Sequence, residues 1–318
     1  MDTLVVPAPA KLNLFLHVTG RRADGYHTLE SLLVLLDFGD VLTLSSRDDG
    51  KIVLARTLPG VPAEADLAFR AASLLQQHSK VEHGVTIDLD KRIPMGSGMG
   101  GGSSDAASVL LALNRMWHLD LSRSELMRLG LQLGADVPLF VFGANAHMTG
   151  VGEILREVTM PRLHFLIEVP PVNSATASVF AAASLKRDTP QTGADAFAPD
   201  FGRNDLQPVA VSMHSQIATS IAALDSIGTG AAGRNALWHA RMTGSGSAVF
   251  RIFDRGFPAS EAAWRAAGAR DREAWKALQH IHYRSPRAHD AGGTLTHGSR
   301  LIHARGLQRH PLRDFVAK

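Results

Sequence analysis

The feature that most constrains this chain is PMGSGMGGGSSDAASVLLALN at 94–114, where five of the seven residues from Gly96 to Gly102 are glycine. Glycine weakens a helix or strand by roughly 0.5–1 kcal/mol relative to alanine, so a cluster marks a tight turn or a ligand against bare backbone. Flexible linkers sit between polar stretches. This one sits between VTIDLD at 85–90, which alternates like a strand, and an apolar run with helical spacing from about Ser103 to Trp117. A strand that feeds bare amides into a helix N-terminus suits an anion, because the unpaired N–H groups and the helix dipole favour negative charge.

Three phosphate loops compete for residues 94–104. A Walker A loop requires a lysine after its last glycine, and none follows here. A literal G-x-G-x-x-G occurs at Gly96, Gly98 and Gly101, but a dinucleotide fold also needs an acidic residue ending the next strand. Asp120 stands at that distance with no strand pattern before it. A protein-kinase loop needs H-R-D and D-F-G downstream, and neither occurs. Ser103 and Ser104 bring hydroxyls to the turn, either as helix caps or as partners of a phosphate and its cation.

Composition narrows the class. The chain has 318 residues, 45% hydrophobic and 20% charged, which is enough for one large domain or two ordinary ones. No apolar run reaches the roughly 18 residues of a membrane span, and MDTLVVPAPAKLN lacks a signal-peptide pattern. The absence of cysteine excludes disulfides, thiolate zinc sites and cysteine nucleophiles, and suits a reducing cytoplasm. A net charge of +3 with 6% aromatics, its basic excess near the C-terminus, argues against a nucleic-acid surface. His280 and His282 are spaced H-x-H, but no carboxylates stand nearby at ligand spacing.

Residues 1–46 read as strands around an Asp-Gly turn in RRADGYH at 21–27, with Leu12, Leu14, Leu16 and Val18 on one face and Lys11, Asn13, Phe15 and His17 on the other. Helical spacing follows at 65–78, and Ser122 to Glu125 forms a capping box for a helix that Gly134 ends. Beyond 160, HFLIEVPP reads as a strand and TASVFAAASL as a helix. Next come a loop at 186–202, a long helix at 208–226, a glycine-bearing hairpin in ARMTGSGSAVFRIF, an amphipathic helix at 258–278, and a polar loop or insert at 283–300.

Asp136, in the apolar setting GADVPLF, is either a general base needing a compensating cation or a cap for the turn before Pro138. Strand geometry puts Lys11 and Asn13 on one side, roughly 6.5–7 Å apart. Lys11 is then either that cation or a snorkelling surface lysine. Tyr26 offers a ring to stack on a nucleobase and His27 a polar edge to read one, or both simply pack.

In order along the chain, PAKLNLFLHVTGRRADGYHTLESLL, the glycine loop, GADVPLF, TGVGEIL, RNDL and MTGSGSAVF resemble the signature segments of the GHMP kinases, and GLQRHPL resembles their C-terminus. The glycine-expanded loop is similar to that of the branch acting on a cytidine diphosphate-linked methylerythritol. The resemblance implies a two-domain α+β fold, with residues 1–160 like ribosomal protein S5 domain 2 and residues 161–318 ferredoxin-like, and the site in the cleft between. It implies ATP as co-substrate with Mg2+, metal ligands unassigned, and a small-molecule partner rather than nucleic acid or membrane.

It also implies that Lys11 and Asp136 are catalytic. ATP phosphates would lie against Pro94, Met95, Gly96, Ser97, Gly98, Met99, Gly100, Gly101, Gly102, Ser103 and Ser104. Tyr26, His27 and Phe180 would hold the cytosine, with Asn13, Val151, Thr176 and Asn204 near the rest of the substrate. Gly244 and Gly246 match a glycine motif beside the phosphate loop, or mark only a hairpin turn. Within this fold the rival is a kinase for homoserine, mevalonate or a sugar. The DGYH turn speaks against it, since those substrates carry no base to stack.

Overall fold

A computed structural model describes residues 2–193, 202–226, 239–253 and 298–316. Two long strands, β1 (Thr3–Arg21) and β2 (His27–Arg47), form an antiparallel hairpin. Its turn closes as the Asp-Gly chemistry predicts: Asp24 accepts from the Tyr26 amide and Gly25 takes φ +89°. β2 then pairs with β4 (Gly84–Asp90) near one end and β5 (Ala146–Thr149) near the other. β3 (Ile52–Leu54) and β6 (Ile154–Glu157) complete a six-stranded sheet.

Four helices belong to this first body: α1 (Leu67–Ser79), α2 (Gly101–Met116), α3 (Arg123–Leu133) and α4 (Val137–Phe142). Asp66 caps α1 through the amides of Ala68 and Phe69, and the Ser122–Glu125 capping box opens α3 as its spacing predicts. Leu75 of α1 and Leu110 and Leu113 of α2 are fully buried with Leu42, Leu44 and Ile87 of the sheet. Each such side chain stabilises the fold by about 1.5–3 kcal/mol relative to an exposed one.

The chain leaves the first sheet after Glu157 and starts a second, antiparallel one at His164, in the order β10 (Arg300–Arg305), β7 (His164–Val169), β9 (Val249–Phe253), β8 (Arg241–Met242). The helices α5 (Thr176–Ala181), α6 (Gln207–Met213) and α7 (Ser215–Ser226) accompany it. The long helix expected at 208–226 is two, because His214 adopts an extended backbone (φ −139°, ψ 93°). The helix expected through TASVFAAASL ends at Ala181, where Ala182 turns out to ψ 133°. No helix among the described residues is long and apolar enough to cross a membrane. The segment 258–278 and His280 and His282 lie outside the described residues, as does 283–297.

β1 joins the two bodies. Leu12, Leu14 and Phe15 share one apolar cluster with Phe165, Ile167 and Phe250 of the second sheet. Strict alternation would place Leu14 and Phe15 on opposite faces, but an irregularity between Asn13 and Phe15 shifts the register and brings both into that cluster. Both faces of β1 are consequently buried. The tail returns to the first body: the Leu307 amide donates to the Leu35 carbonyl, His310 to that of Gly143, and Val316 lies in the helix–sheet core.

Candidate active site

The glycine loop crosses a cleft of about 1010 Å³ between the two bodies. Gly96, Gly98 and Gly100 take φ of +69°, +77° and +74°, a region side chains resist. The loop is also pressed by protein. A Cβ on Gly98 would lie 2.6 Å from the Thr243 carbonyl oxygen, and one on Gly100 would lie 2.9 Å from the Phe140 ring. Three of the loop carbonyls are occupied by amides from beyond the loop: Met99 accepts from the Lys11 amide at 3.0 Å, Ser97 from Ala248 at 3.0 Å and Gly96 from Ser247 at 3.3 Å. The amides from Ser97 to Ser103 donate to no described residue, and α2 begins among them. Oriented, unpaired donors at a helix N-terminus hold an anion.

α2 starts at Gly101, two residues earlier than expected, with Gly100 in its cap position, so neither serine caps it. Ser103 lines the cleft. Ser104 does not; it is fully buried and its hydroxyl donates to the Pro9 carbonyl at 2.7 Å, which anchors α2 on β1. Gly244 and Gly246 do more than turn a hairpin. A Cβ on Gly244 would meet the Gly98 carbonyl oxygen at 2.9 Å, so the two glycine turns interlock.

Asp136 stands at the N-cap position of α4, yet its carboxylate makes no cap hydrogen bond. Instead Lys11 Nζ lies 3.6 Å from Asp136 Oδ2, so the two meet directly. Lys11 is buried, whereas the Asp136 side chain is 42% exposed toward the cleft, less enclosed than its apolar neighbours suggest. The ammonium also donates to Asn13 Oδ1 at 2.7 Å. Asn13 Nδ2 donates to the Ser31 hydroxyl, which donates to the Phe15 carbonyl. The Asn13 amide donates to the Thr243 hydroxyl at 2.8 Å. A buried polar chain, satisfied at each link, thus fixes the ammonium beside the exposed carboxylate.

At the other end of the cleft, the β1–β2 turn carries Tyr26, 67% exposed, and His27. The His27 ring lies 5.0 Å from that of Phe180, which is partly packed in the second body's core and also lines the cleft. Burial, then Arg187 and Arg21, hold His27 below the ordinary histidine pKa of 6.5. Val151 and Thr176 line the same cleft, and the Thr176 hydroxyl hydrogen-bonds that of Ser245 at 2.7 Å. Asn204 is not brought in. Its Nδ2 donates to the carbonyls of Met242 and Gly244, bracing the second glycine turn from behind.

Lys91 and Asp105 line the cleft beneath the loop without having been expected there. Lys91 Nζ donates to Asp40 at 2.5 Å and Asp105 at 2.6 Å. Burial pushes the Asp105 carboxyl well above the usual range, only partly offset by Lys91. Burial opposes the Lys91 ammonium too, but the two carboxylates outweigh it and raise its pKa. Asp105 follows the serines directly, so its place at the helix start was a usable signal. Asp40 is 51 residues from Lys91, and nothing local marks that pair. Among the described residues no group of three or more metal-ligating side chains occurs.

Comparison with known proteins bears on this geometry. A profile of the GHMP kinases N-terminal domain matches residues 66–144, and that of the GHMP kinases C-terminal region matches residues 181–269. A 4-diphosphocytidyl-2-C-methyl-D-erythritol kinase of Burkholderia mallei is 52% identical over 256 residues, covering 77% of this chain and 84% of that protein. The chain belongs to the GHMP kinase family. A second kinase of that name, from Thiobacillus denitrificans, is 46% identical over 310 residues, 98% of each chain. The crystal structure of a 4-(cytidine 5'-diphospho)-2C-methyl-D-erythritol kinase superposes with a TM-score of 0.71 at 28% identity, covering 95% of this chain and 99% of that one. A homoserine kinase from Cytophaga hutchinsonii shares the fold, with a TM-score of 0.56 at 16% identity over 98% and 96% of the two chains. This GHMP kinase is therefore a two-domain α+β enzyme with ATP as the family's co-substrate.

Proposed function

We propose that this kinase transfers the γ-phosphoryl group of ATP to the 2-hydroxyl of 4-diphosphocytidyl-2-C-methyl-D-erythritol, giving the 2-phosphate and ADP in the non-mevalonate route to isoprenoid precursors. The observation that carries the reading is the placement of Lys11 and Asp136, 3.6 Å apart, in one cleft with the unpaired amides of the glycine loop and the aromatic tip of the β1–β2 turn. One end suits phosphates, the other a base, and the proton acceptor lies in the same space.

Asp136 accepts the proton of the substrate hydroxyl as its oxygen bonds to phosphorus and the bond to the ADP oxygen breaks. The Lys11 ammonium, 3.6 Å from the carboxylate, meets the charge on the transferring group. The loop amides, the α2 dipole and Ser103 hold the nucleotide phosphates. Tyr26, His27 and Phe180 hold the cytosine, with Asn13, Val151 and Thr176 nearer the acceptor alcohol. Mg2+ fits this donor set as an ion carried by the nucleotide, because it takes one or two protein oxygens plus phosphate oxygens. The Ser103 hydroxyl and other side-chain oxygens that line the cleft, Asp105 among them, would hold it, leaving the Asp136 carboxylate to the proton. When bound, it neutralises phosphate charge.

A small-molecule kinase working in the cytoplasm, on neither nucleic acid nor membrane, belongs to the same reading. A homoserine or mevalonate substrate leaves Tyr26, His27 and Phe180 without a role, and the aromatic end of the cleft favours the cytidyl one. Phosphorus NMR of the purified chain with Mg-ATP and the cytidyl substrate tests this. A new phosphomonoester signal growing with ADP supports it, and ADP without that monoester counts against it.

A further inference from the structure

Arg187 lies in the irregular run after α5, and its guanidinium makes four hydrogen bonds, of which the one to His27 joins the two bodies. Nε donates to His27 Nε2 at 3.0 Å, Nη1 to the Leu185 carbonyl at 2.9 Å, and Nη2 to those of Phe180 and Ala182 at 3.0 and 2.8 Å. Three backbone carbonyls thus hold the planar fork in one orientation. A guanidinium has only donors and stays protonated, so His27 Nε2 is the acceptor. A neutral imidazole accepting at Nε2 carries its proton on Nδ1. Nδ1 bonds to no described residue, while the ring lines the cleft beside Phe180. Arg187 does not line the cleft itself.

We propose that Arg187 is a positioning residue for base recognition: it holds His27 neutral, with its proton on Nδ1, so that the ring offers a hydrogen-bond donor to an acceptor on the pyrimidine edge. Cytosine presents such acceptors at its ring nitrogen N3 and carbonyl O2. The same guanidinium ties the carbonyls of Phe180 and Ala182 to His27, so the stacking ring and the reading edge are fixed as one unit. The charged groups around His27 agree with this. Arg187 and Arg21 both disfavour the imidazolium, and Asp24, the nearby carboxylate of the turn, is paired with Arg22 at 2.7 Å. The inference rests on the cytidyl-substrate reading above.

Arg187→Met, compared with the unaltered enzyme, tests it. Turnover of the cytidyl substrate by the unaltered enzyme settles the functional reading first, independently of Arg187. The variant is expected to raise KM for that substrate roughly three- to tenfold, the value of one hydrogen bond, with a smaller fall in kcat and an unchanged KM for ATP. Its raised KM falls back toward that of the unaltered enzyme as pH drops from 7.5 to 6, where that of the unaltered enzyme stays flat, because a protonated imidazole regains the donor on Nδ1. Nitrogen-15 NMR of the unaltered enzyme gives the direct readout: Nε2 unprotonated and Nδ1 protonated. A proton on Nε2 in that spectrum overturns the proposal whether or not the variant folds. Equal losses for both substrates, with no change in the pH profile, overturn it in favour of a purely structural role.

Discussion

At the residue scale, the site depends on one buried ammonium and one half-exposed carboxylate. Lys11 and Asn13 were legible as a pair, since strand period puts both on one side. That the ammonium meets Asp136 directly was not, because 125 positions separate them and only the α4 N-terminus brings the carboxylate across. Asp136→Asn is expected to lower kcat by about 100-fold or more, the usual range for a general base, with KM for ATP nearly unchanged. Steady-state kinetics checks this, and activity within tenfold removes the base assignment. Tyr26→Ala is expected to raise KM for the cytidyl substrate more than it lowers kcat, since stacking acts alike on ground and transition states. An unchanged KM takes Tyr26 out of the site. Asn204 shows the opposite limit of sequence reading. Its side chain is spent on backbone carbonyls from 242 and 244, which become its neighbours only in the fold.

At the element scale, the glycine loop is bare for two reasons at once. Its amides face an anion, and its Cα positions face Thr243, Gly244, Phe140 and Lys11. The first reason was legible from the strand–glycine–helix order, the second only from packing. Gly98→Ala combines φ +77° with a methyl 2.6 Å from the Thr243 carbonyl oxygen. It is expected to cost on the order of 1–3 kcal/mol of stability and to raise KM for ATP. Thermal melts and ATP titration check both effects, and a variant that melts and binds like the parent contradicts the interlock. Elsewhere, local chemistry decided the elements. The Asp66 cap, the Ser122–Glu125 box and the Asp24–Gly25 turn all act within a few residues. The break at His214 has no such signal, since neither glycine nor proline stands beside it. The irregularity in β1 is equally silent, set by what the second sheet packs against.

At the scale of the molecule, the two bodies are bound by β1, by Arg187 and by the returning tail. His310 sits in that tail at the junction with α4, and its ring accepts from the Leu312 amide. Burial, with Arg123 nearby, pushes its pKa from 6.5 down to about 3. The unfolded chain takes up this proton near pH 6.5 while the fold refuses it until about 3. The stability it contributes is present above that upper value and is lost as pH falls through the window. His310→Asn is expected to flatten the fall in stability between pH 6.5 and 4 by several kcal/mol, on the order of 1.4 per pKa unit. Denaturant melts across that range check it, and an unchanged slope contradicts it. The alternation and helical spacing that revealed the sheets and helices carry no information about how this tail docks, since Leu307 bonds to Leu35, His310 to Gly143 and Arg123 to Arg313.

The most direct test of the central claim is ADP release from Mg-ATP with the cytidyl methylerythritol offered alongside homoserine, mevalonate and galactose. The account predicts turnover with the cytidyl substrate alone, abolished in Asp136→Asn. Turnover with one of the other alcohols instead contradicts the assignment of the aromatic end of the cleft to a base.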